Sequence, residues 1–186
     1  MKAENNENAR RNARPGLPDF IEGLLAGDEK KTLLGFEEYC KANKMAVRLS
    51  SGYLWGVYFK GKRVATIQIA VKGMRRGQYM QKDNSWIVGV CYLNAESPEF
   101  EKFAAEEKLT ETIWANVTHC KGCLKACIGN QPPGVEKRIA GKVFRKACVA
   151  CGGVSFENPN AEALECVKKM MGMRMRDIAS EKEHEQ

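Results

Sequence analysis

Apolar and polar residues alternate with a period of two between residues 53 and 71. Tyr53, Trp55, Val57 and Phe59 fall on one side of the first run, and Ala65, Ile67, Ile69 and Val71 on one side of the second. Lys60-Gly61-Lys62 lies between the runs. Successive side chains of a strand point to opposite faces, so this pattern predicts a β-hairpin with one face buried. Residues 85–93 lack the alternation. Trp86, Ile87, Val88, Val90, Cys91 and Tyr92 crowd both faces, which predicts a third and more deeply buried strand.

Helical spacing flanks this β region. Pro18 suits the first position of a helix and Gly27 its end, with Phe20, Ile21, Leu24 and Leu25 as the apolar face. Asp28 is the expected cap of a second helix that carries Leu33, Leu34, Phe36 and Tyr39. After the strands, Ser97-Pro98 opens a short helix with Phe100 and Phe103 inward. Leu109, Ile113, Trp114 and Val117 have helical spacing in the next. A final helix is expected from Asn158-Pro159 or Asn160, with Ala163, Cys166, Val167 and Met170 spaced i, i+3, i+4 and i+7. Within the Gly- and Lys-rich region before it, residues 138–144 place Gly141 between two short apolar runs, the pattern of a further hairpin. Strands do not alternate with long helices, so a parallel sheet is not expected. The predicted class is α+β: a small antiparallel meander sheet with helices packed on one face and a Cys-rich loop region near the C-terminus.

Composition sets the limits of that fold. A chain of 186 residues suits one domain, and 44% hydrophobic with 28% charged residues is ordinary for a globular one. Residues 1–16 and 180–186 are polar and poor in large apolar side chains, so both are expected as disordered tails. That leaves residues 17–179 as a single domain, with the Cys-rich region at 119–153. No run approaches the roughly 18 apolar residues of a membrane span, and the N-terminus has no apolar segment of a secretory signal. A cytoplasmic location is the resulting expectation. The net charge of +7 permits contact with nucleic acid or another polyanion without requiring it.

Eight cysteines in a reducing compartment point to metal ligands or buried thiols rather than disulfides. Cys40, Cys91 and Cys166 fall on predicted core faces, where a thiol acts as a small hydrophobe. The other five lie between residues 119 and 153 and include two pairs, Cys120-x2-Cys123 and Cys148-x2-Cys151. Structural zinc takes four soft ligands in a tetrahedron, and a two-residue gap lets two sulfurs face one point from a tight turn. Gly152 follows the second pair and Gly122 lies inside the first, and glycine admits the turns required. The pairs are separated by residues 124–147, longer than the usual ribbon spacing of about 15–20 residues. Loop closure entropy grows slowly enough with length to allow this. A zinc–tetrathiolate centre carries a charge of −2, which lowers the total to about +5. Lys121, Lys125, Arg145 and Lys146 are near in sequence to offset it.

Cys127 leaves the ligand set open. Cys120, Cys123 and Cys127 with Cys148 form another four-thiolate set that leaves Cys151 free, and a close Cys triplet plus a remote Cys also suits an iron–sulfur cluster. His119 can replace one thiolate. Metal-free reduced thiols, or a redox dithiol, are the remaining readings, although neither pair has the strand-to-helix context of thioredoxin-like sites.

Lys60, Lys62, Arg63, Lys72, Arg75, Arg76 and Lys82, with Tyr79 and Met80 interleaved, make the hairpin turn and the following loop basic. They are candidates for contact with nucleic acid or another polyanion. A solvated loop accounts for the same charges. Trp55, Trp86 and Trp114 are expected in the interior, as is most of the Met-rich segment 170–175. No nucleophile elbow, P-loop or dinucleotide fingerprint is present. Of the two histidines, His184 lies in the terminal tail, and Glu96, Glu99, Glu101, Glu106, Glu107 and Glu111 fall on expected solvent faces. The sequence therefore leans away from an enzyme.

The run from Trp114-Ala115-Asn116-Val117 through the cysteines to Phe156-Glu157-Asn158-Pro159-Asn160-Ala161-Glu162-Ala163-Leu164-Glu165-Cys166, together with Tyr58-Phe59-Lys60-Gly61-Lys62, resembles a family of small cysteine-containing proteins from anaerobic bacteria. The resemblance covers most of residues 18–176 and brings no activity, cofactor or substrate with it. It implies that Cys120 to Cys166 and the Phe-Glu-Asn-Pro segment form one unit with the helix that follows. The combined expectation is a cytoplasmic binding or interaction module with a structural zinc site at four of Cys120, Cys123, Cys127, Cys148 and Cys151. A nucleic-acid-associated regulator and a redox or iron–sulfur protein stand as alternatives.

Overall fold

A computed structural model describes residues 15–70, 84–91, 93–120, 134–148 and 153–183. Among the described residues are five helices: α1 (Leu17–Ile21), α2 (Gly27–Ala42), α3 (Pro98–Glu106), α4 (Thr110–Ala115) and α5 (Ala161–Glu183). Strands β1 (Ala46–Ser51), β2 (Leu54–Phe59), β3 (Lys62–Ala70), β4 (Ser85–Val90) and β7 (Phe156–Glu157) form one antiparallel sheet in the order β1-β2-β3-β4-β7. Strands β5 (Val135–Ile139) and β6 (Lys142–Ala147) form a separate hairpin. The α+β class and the meander follow the sequence expectation.

The β2–β3 turn is Lys60-Gly61, with φ of +47° and +82°. Two left-handed residues are what a tight hairpin turn demands, because they match the twist of the strands. The register sets Trp55 opposite Ile67 and Ile67 opposite Val88, so the odd-numbered row of β2 and β3 continues into Trp86, Val88 and Val90 of β4 as one buried face. Helices cover that face: Phe20 of α1 meets the Trp55 ring edge-on at 5.4 Å, and Phe36 of α2 stacks on Trp86 at 6.0 Å. All six residues of β4 are buried, as its apolar composition on both faces predicts.

Strand β1 has no counterpart in the sequence reading. Val47 and Leu49 do alternate with Arg48 and Ser50, but the run is short and its burial only partial. Cross-strand pairing with β2 makes it a strand.

Helix ends differ from expectation where backbone conformation decides them. Gly23, at φ +75°, follows α1, and Gly27 starts α2 rather than ending α1. Asp28 therefore sits inside the first turn of α2, where its charge suits the helix dipole, and Ala26 holds the cap position. Ser97 caps α3 as expected, accepting from the Phe100 N–H at 3.1 Å. The Asn160 Oδ1 accepts from the Ala163 N–H at 2.9 Å at the start of α5. Helix α5 continues to Glu183, past the boundary expected at residue 179. Glu181 pairs with both Lys62 and Arg174 and ties that last stretch to the β2–β3 hairpin.

Cys40 and Cys166 are wholly buried, and Cys91 is half-buried. Trp55 and Trp86 are core residues. Trp114 is half-buried: its indole N–H donates to the Ile139 carbonyl at 2.9 Å, and the Lys142 ammonium lies 4.7 Å from its ring centre. These contacts, with buried Ile139, Ala140 and Phe144, seat the β5–β6 hairpin against α4, and Arg138 pairs with Glu101 of α3 at 3.4 Å. Met170 and Met171 are buried, and Met173 and Met175 pack partly against the core. Among the described residues no helix is long and apolar enough to cross a membrane.

Candidate metal centre

Residues 116–120 pair along one edge with two successive stretches of chain. At the near end Val117 bridges Val154, with the Thr118 N–H donating to Gly153 O and the Ser155 N–H to Asn116 O. Further along the same edge, His119 bridges Ala147, with the Cys120 N–H donating to Lys146 O at 2.7 Å and the Cys148 N–H to Thr118 O at 2.8 Å. Each bridge is antiparallel. The outcome is a small interrupted ladder in which the approach to β7 and the end of β6 face residues 116–120 in turn, with Thr118 bonded to Gly153 through its N–H and to Cys148 through its carbonyl.

This ladder fixes which side chains share a face. Val117, Val154 and Ala147 point toward the core and are buried. Thr118, Ser155, Cys120 and Cys148 alternate with them and share the other face. Cys120 and Cys148 are diagonal neighbours across the His119–Ala147 pair, a relation that sets Cα atoms about 7–8 Å apart and side chains closer. Thr118 and Ser155 stand in the same relation across the Val117–Val154 pair, and their hydroxyls are hydrogen-bonded to each other. The same geometry one step along the ladder therefore brings diagonal side chains into contact.

Cys148 is 4% exposed and Cys120 is half-buried, and both are free thiols. His119 belongs to the opposite face, where its ring lies 6.1 Å from that of Phe144. It is not placed to replace a thiolate beside Cys120 and Cys148. Lys146 is the cross-strand neighbour of Cys120 and is exposed, as is Arg145.

The chain leaves this face at Cys120 and returns to it at Gly134. A Cβ on Gly134 would lie 2.9 Å from the Cys120 Cβ and 3.0 Å from the Lys146 backbone, so only glycine, here at φ +80°, allows that approach. The second departure, at Cys148, returns at Gly153, where a Cβ would sit 3.8 Å from the Cys148 carbonyl oxygen. Cys123, Cys127 and Cys151 lie outside the described residues. Cys123 follows Cys120, and Cys151 follows Cys148, by three positions. Cys120 and Cys148 are thus the two candidate ligands that the structure brings together. Among the described residues no set of three ligand side chains is assembled.

The remaining thiols have a different character. Burial pushes Cys40 and Cys166 up to about 12 and raises Cys91 as well. A thiol that resists ionisation is a poor metal ligand and a poor nucleophile. This agrees with their expected role as core residues.

The basic candidates divide. Lys62 is paired with Glu181. Arg63 donates to the Tyr58 hydroxyl at 3.1 Å and lies 5.5 Å from its ring centre. Lys60 faces a hollow of about 610 Å³ that also receives Lys44 and Arg48. Lys72, Arg75, Arg76, Lys82 and Tyr79 lie outside the described residues. Lys44 and Arg48 escape the sequence reading because β1 does. The alternation of Val47 and Leu49 with Arg48 and Ser50 was the available signal.

No protein-family model, no curated protein and no solved structure matches the chain.

Proposed function

We propose that this protein is a cytoplasmic binding or interaction module whose C-terminal third is organised by a structural zinc ion. Four of the five thiolates Cys120, Cys123, Cys127, Cys148 and Cys151 hold the metal. The observation that carries this reading is the position of Cys120 and Cys148. They open the two Cys-x2-Cys pairs, and the ladder sets them diagonally on one face, in the relation that brings Thr118 and Ser155 into contact. Zinc–sulfur bonds of about 2.3 Å require sulfurs about 3.8 Å apart, which diagonal side chains reach. Metal binding then supplies folding free energy where two connections, residues 121–133 and 149–152, begin and end on one face. The role is architectural: zinc closed by four protein ligands has no open position for substrate.

The test is metal content of the untagged full chain by mass spectrometry, repeated with each of the five cysteines changed to Ser. One zinc per chain is expected, lost in four variants and kept in the fifth, with Cys120→Ser and Cys148→Ser among the four. A metal-free wild type, or zinc retained in both of those variants, refutes the reading. Absorption near 400 nm after anaerobic purification would assign an iron–sulfur cluster instead.

A further inference from the structure

The sheet edge opposite β7 carries a second chemical feature. There Lys44, Arg48 and Lys60 line the hollow of about 610 Å³, with Tyr58 as one wall. The three cations come from separate elements. Lys44 follows the end of α2, Arg48 stands in β1 opposite Gly56, and Lys60 opens the β2–β3 turn. No Asp or Glu is among the described residues that line the hollow. In the adjoining hollow, lined by Lys62, Arg63 and Arg174, the cations are engaged by protein groups: Lys62 and Arg174 pair with Glu181, and Arg63 donates to the Tyr58 hydroxyl.

Backbone conformation does not explain the two lysines. Lys44 and Lys60 have φ of +58° and +47°, positions after a helix and in a tight hairpin turn where Gly or Asn is less strained. Tyr58 is also held in place. A Cβ on Gly56 would lie 2.5–2.8 Å from atoms of the Tyr58 ring and hydroxyl, so the absent side chain gives that ring room to lie along the strand. Arg63 anchors the hydroxyl.

We propose that this hollow binds a nucleoside phosphate, with the phosphate on Lys44, Arg48 and Lys60 and the base against Tyr58. The Arg48 guanidinium offers the paired donors that match phosphate oxygens, and the lysines add point charges. An aromatic wall accepts any base by stacking. The volume lies within the roughly 300–1,000 Å³ of small-molecule sites. A free nucleotide and one unit of a single strand present the same chemistry. This site is independent of the metal reading and lies at the other edge of the sheet.

The experiment uses the full chain at low salt with three probes: AMP and inorganic phosphate by calorimetry, and a short labelled oligothymidylate by fluorescence anisotropy. The variants are Lys44→Asn combined with Lys60→Asn, and Arg48→Gln. Asparagine suits left-handed backbone, so the double variant is expected to melt at or above the wild-type temperature. Saturable binding of AMP or the oligonucleotide below about 1 mM, weakened at least tenfold in both variants, is the expected result. Tighter binding of AMP assigns the free nucleotide, and tighter binding of the oligonucleotide assigns the strand. The proposal is overturned if neither probe binds below that concentration, or if the variants bind as well as wild type. An AMP affinity no better than that of inorganic phosphate also overturns it, because Tyr58 would then contribute nothing.

Discussion

Replacing Gly134 with alanine probes the packing around the candidate metal centre. Gly134 has φ +80°, and an L-residue in left-handed backbone costs about 1–2 kcal/mol. The new methyl would also sit 2.9 Å from the Cys120 Cβ and 3.0 Å from the Cα and carbonyl carbon of Lys146. Carbon atoms in ordinary contact stand about 3.5–4.0 Å apart, so the chain must open by about half an ångström or more. The yielding point is the 2.7 Å hydrogen bond from the Cys120 N–H to Lys146 O; weakening it adds about 0.5–1.5 kcal/mol. The expected loss is about 1.5–3.5 kcal/mol, read from urea denaturation with zinc present. Gly23→Ala is the control, because Gly23 has φ +75° with nothing within 4 Å of an added Cβ. It should lose the conformational part alone. If strain at Cys120 reaches the metal, zinc affinity falls about tenfold for each 1.4 kcal/mol. Equal losses in Gly134→Ala and Gly23→Ala would refute the packing argument.

Other consequences follow from particular contacts. Asn158→Ala removes the acceptor of the Trp86 N–H, 2.9 Å away, and leaves that amide buried without a partner. A loss of about 1–3 kcal/mol in urea is expected, and an unchanged midpoint would show that β7 is not anchored there. Cys40 and Cys166 ionise only near pH 12 in the folded chain, against 9.0 for a free thiol. Unfolded thiols release protons first as the pH rises, so their contribution to stability is intact below pH 9.0 and is lost progressively from there toward about 12. Removing both thiols, as Cys40→Ala/Cys166→Ala, should flatten that alkaline decline in thermal melts. Iodoacetamide at neutral pH should modify neither thiol in the folded protein, which peptide mapping reads directly.

Much of the fold was legible because strand period and helix caps are local. The odd-numbered apolar row of residues 55–69 predicted the hairpin and its buried face. Ser97 predicted the start of α3 from a single hydroxyl at the right offset. The α1–α2 junction was misread because two glycines, Gly23 and Gly27, offered the same punctuation. Only backbone conformation distinguishes the residue that ends one helix from the one that begins the next. Strand β1 was missed because half of its pattern is polar and pairing with β2 supplies what propensity does not. The end of α5 was misplaced for a related reason: Glu181 finds its partners in Lys62, 119 positions away, and in Arg174.

By itself, the sequence determined the class of the fold and the buried thiols Cys40 and Cys166, and it named five further cysteines as candidate ligands. These depend on residue type and spacing alone. Tertiary structure decided that Cys120 and Cys148 share one face and that His119 belongs to the other. Pairing register makes that assignment, and a shift of one residue would reverse it. Tertiary structure also gathered Lys44, Arg48 and Lys60 and separated them from the neutralised Lys62. Charges that are unremarkable along the chain become a site only when strands and turns bring them within reach of one ligand.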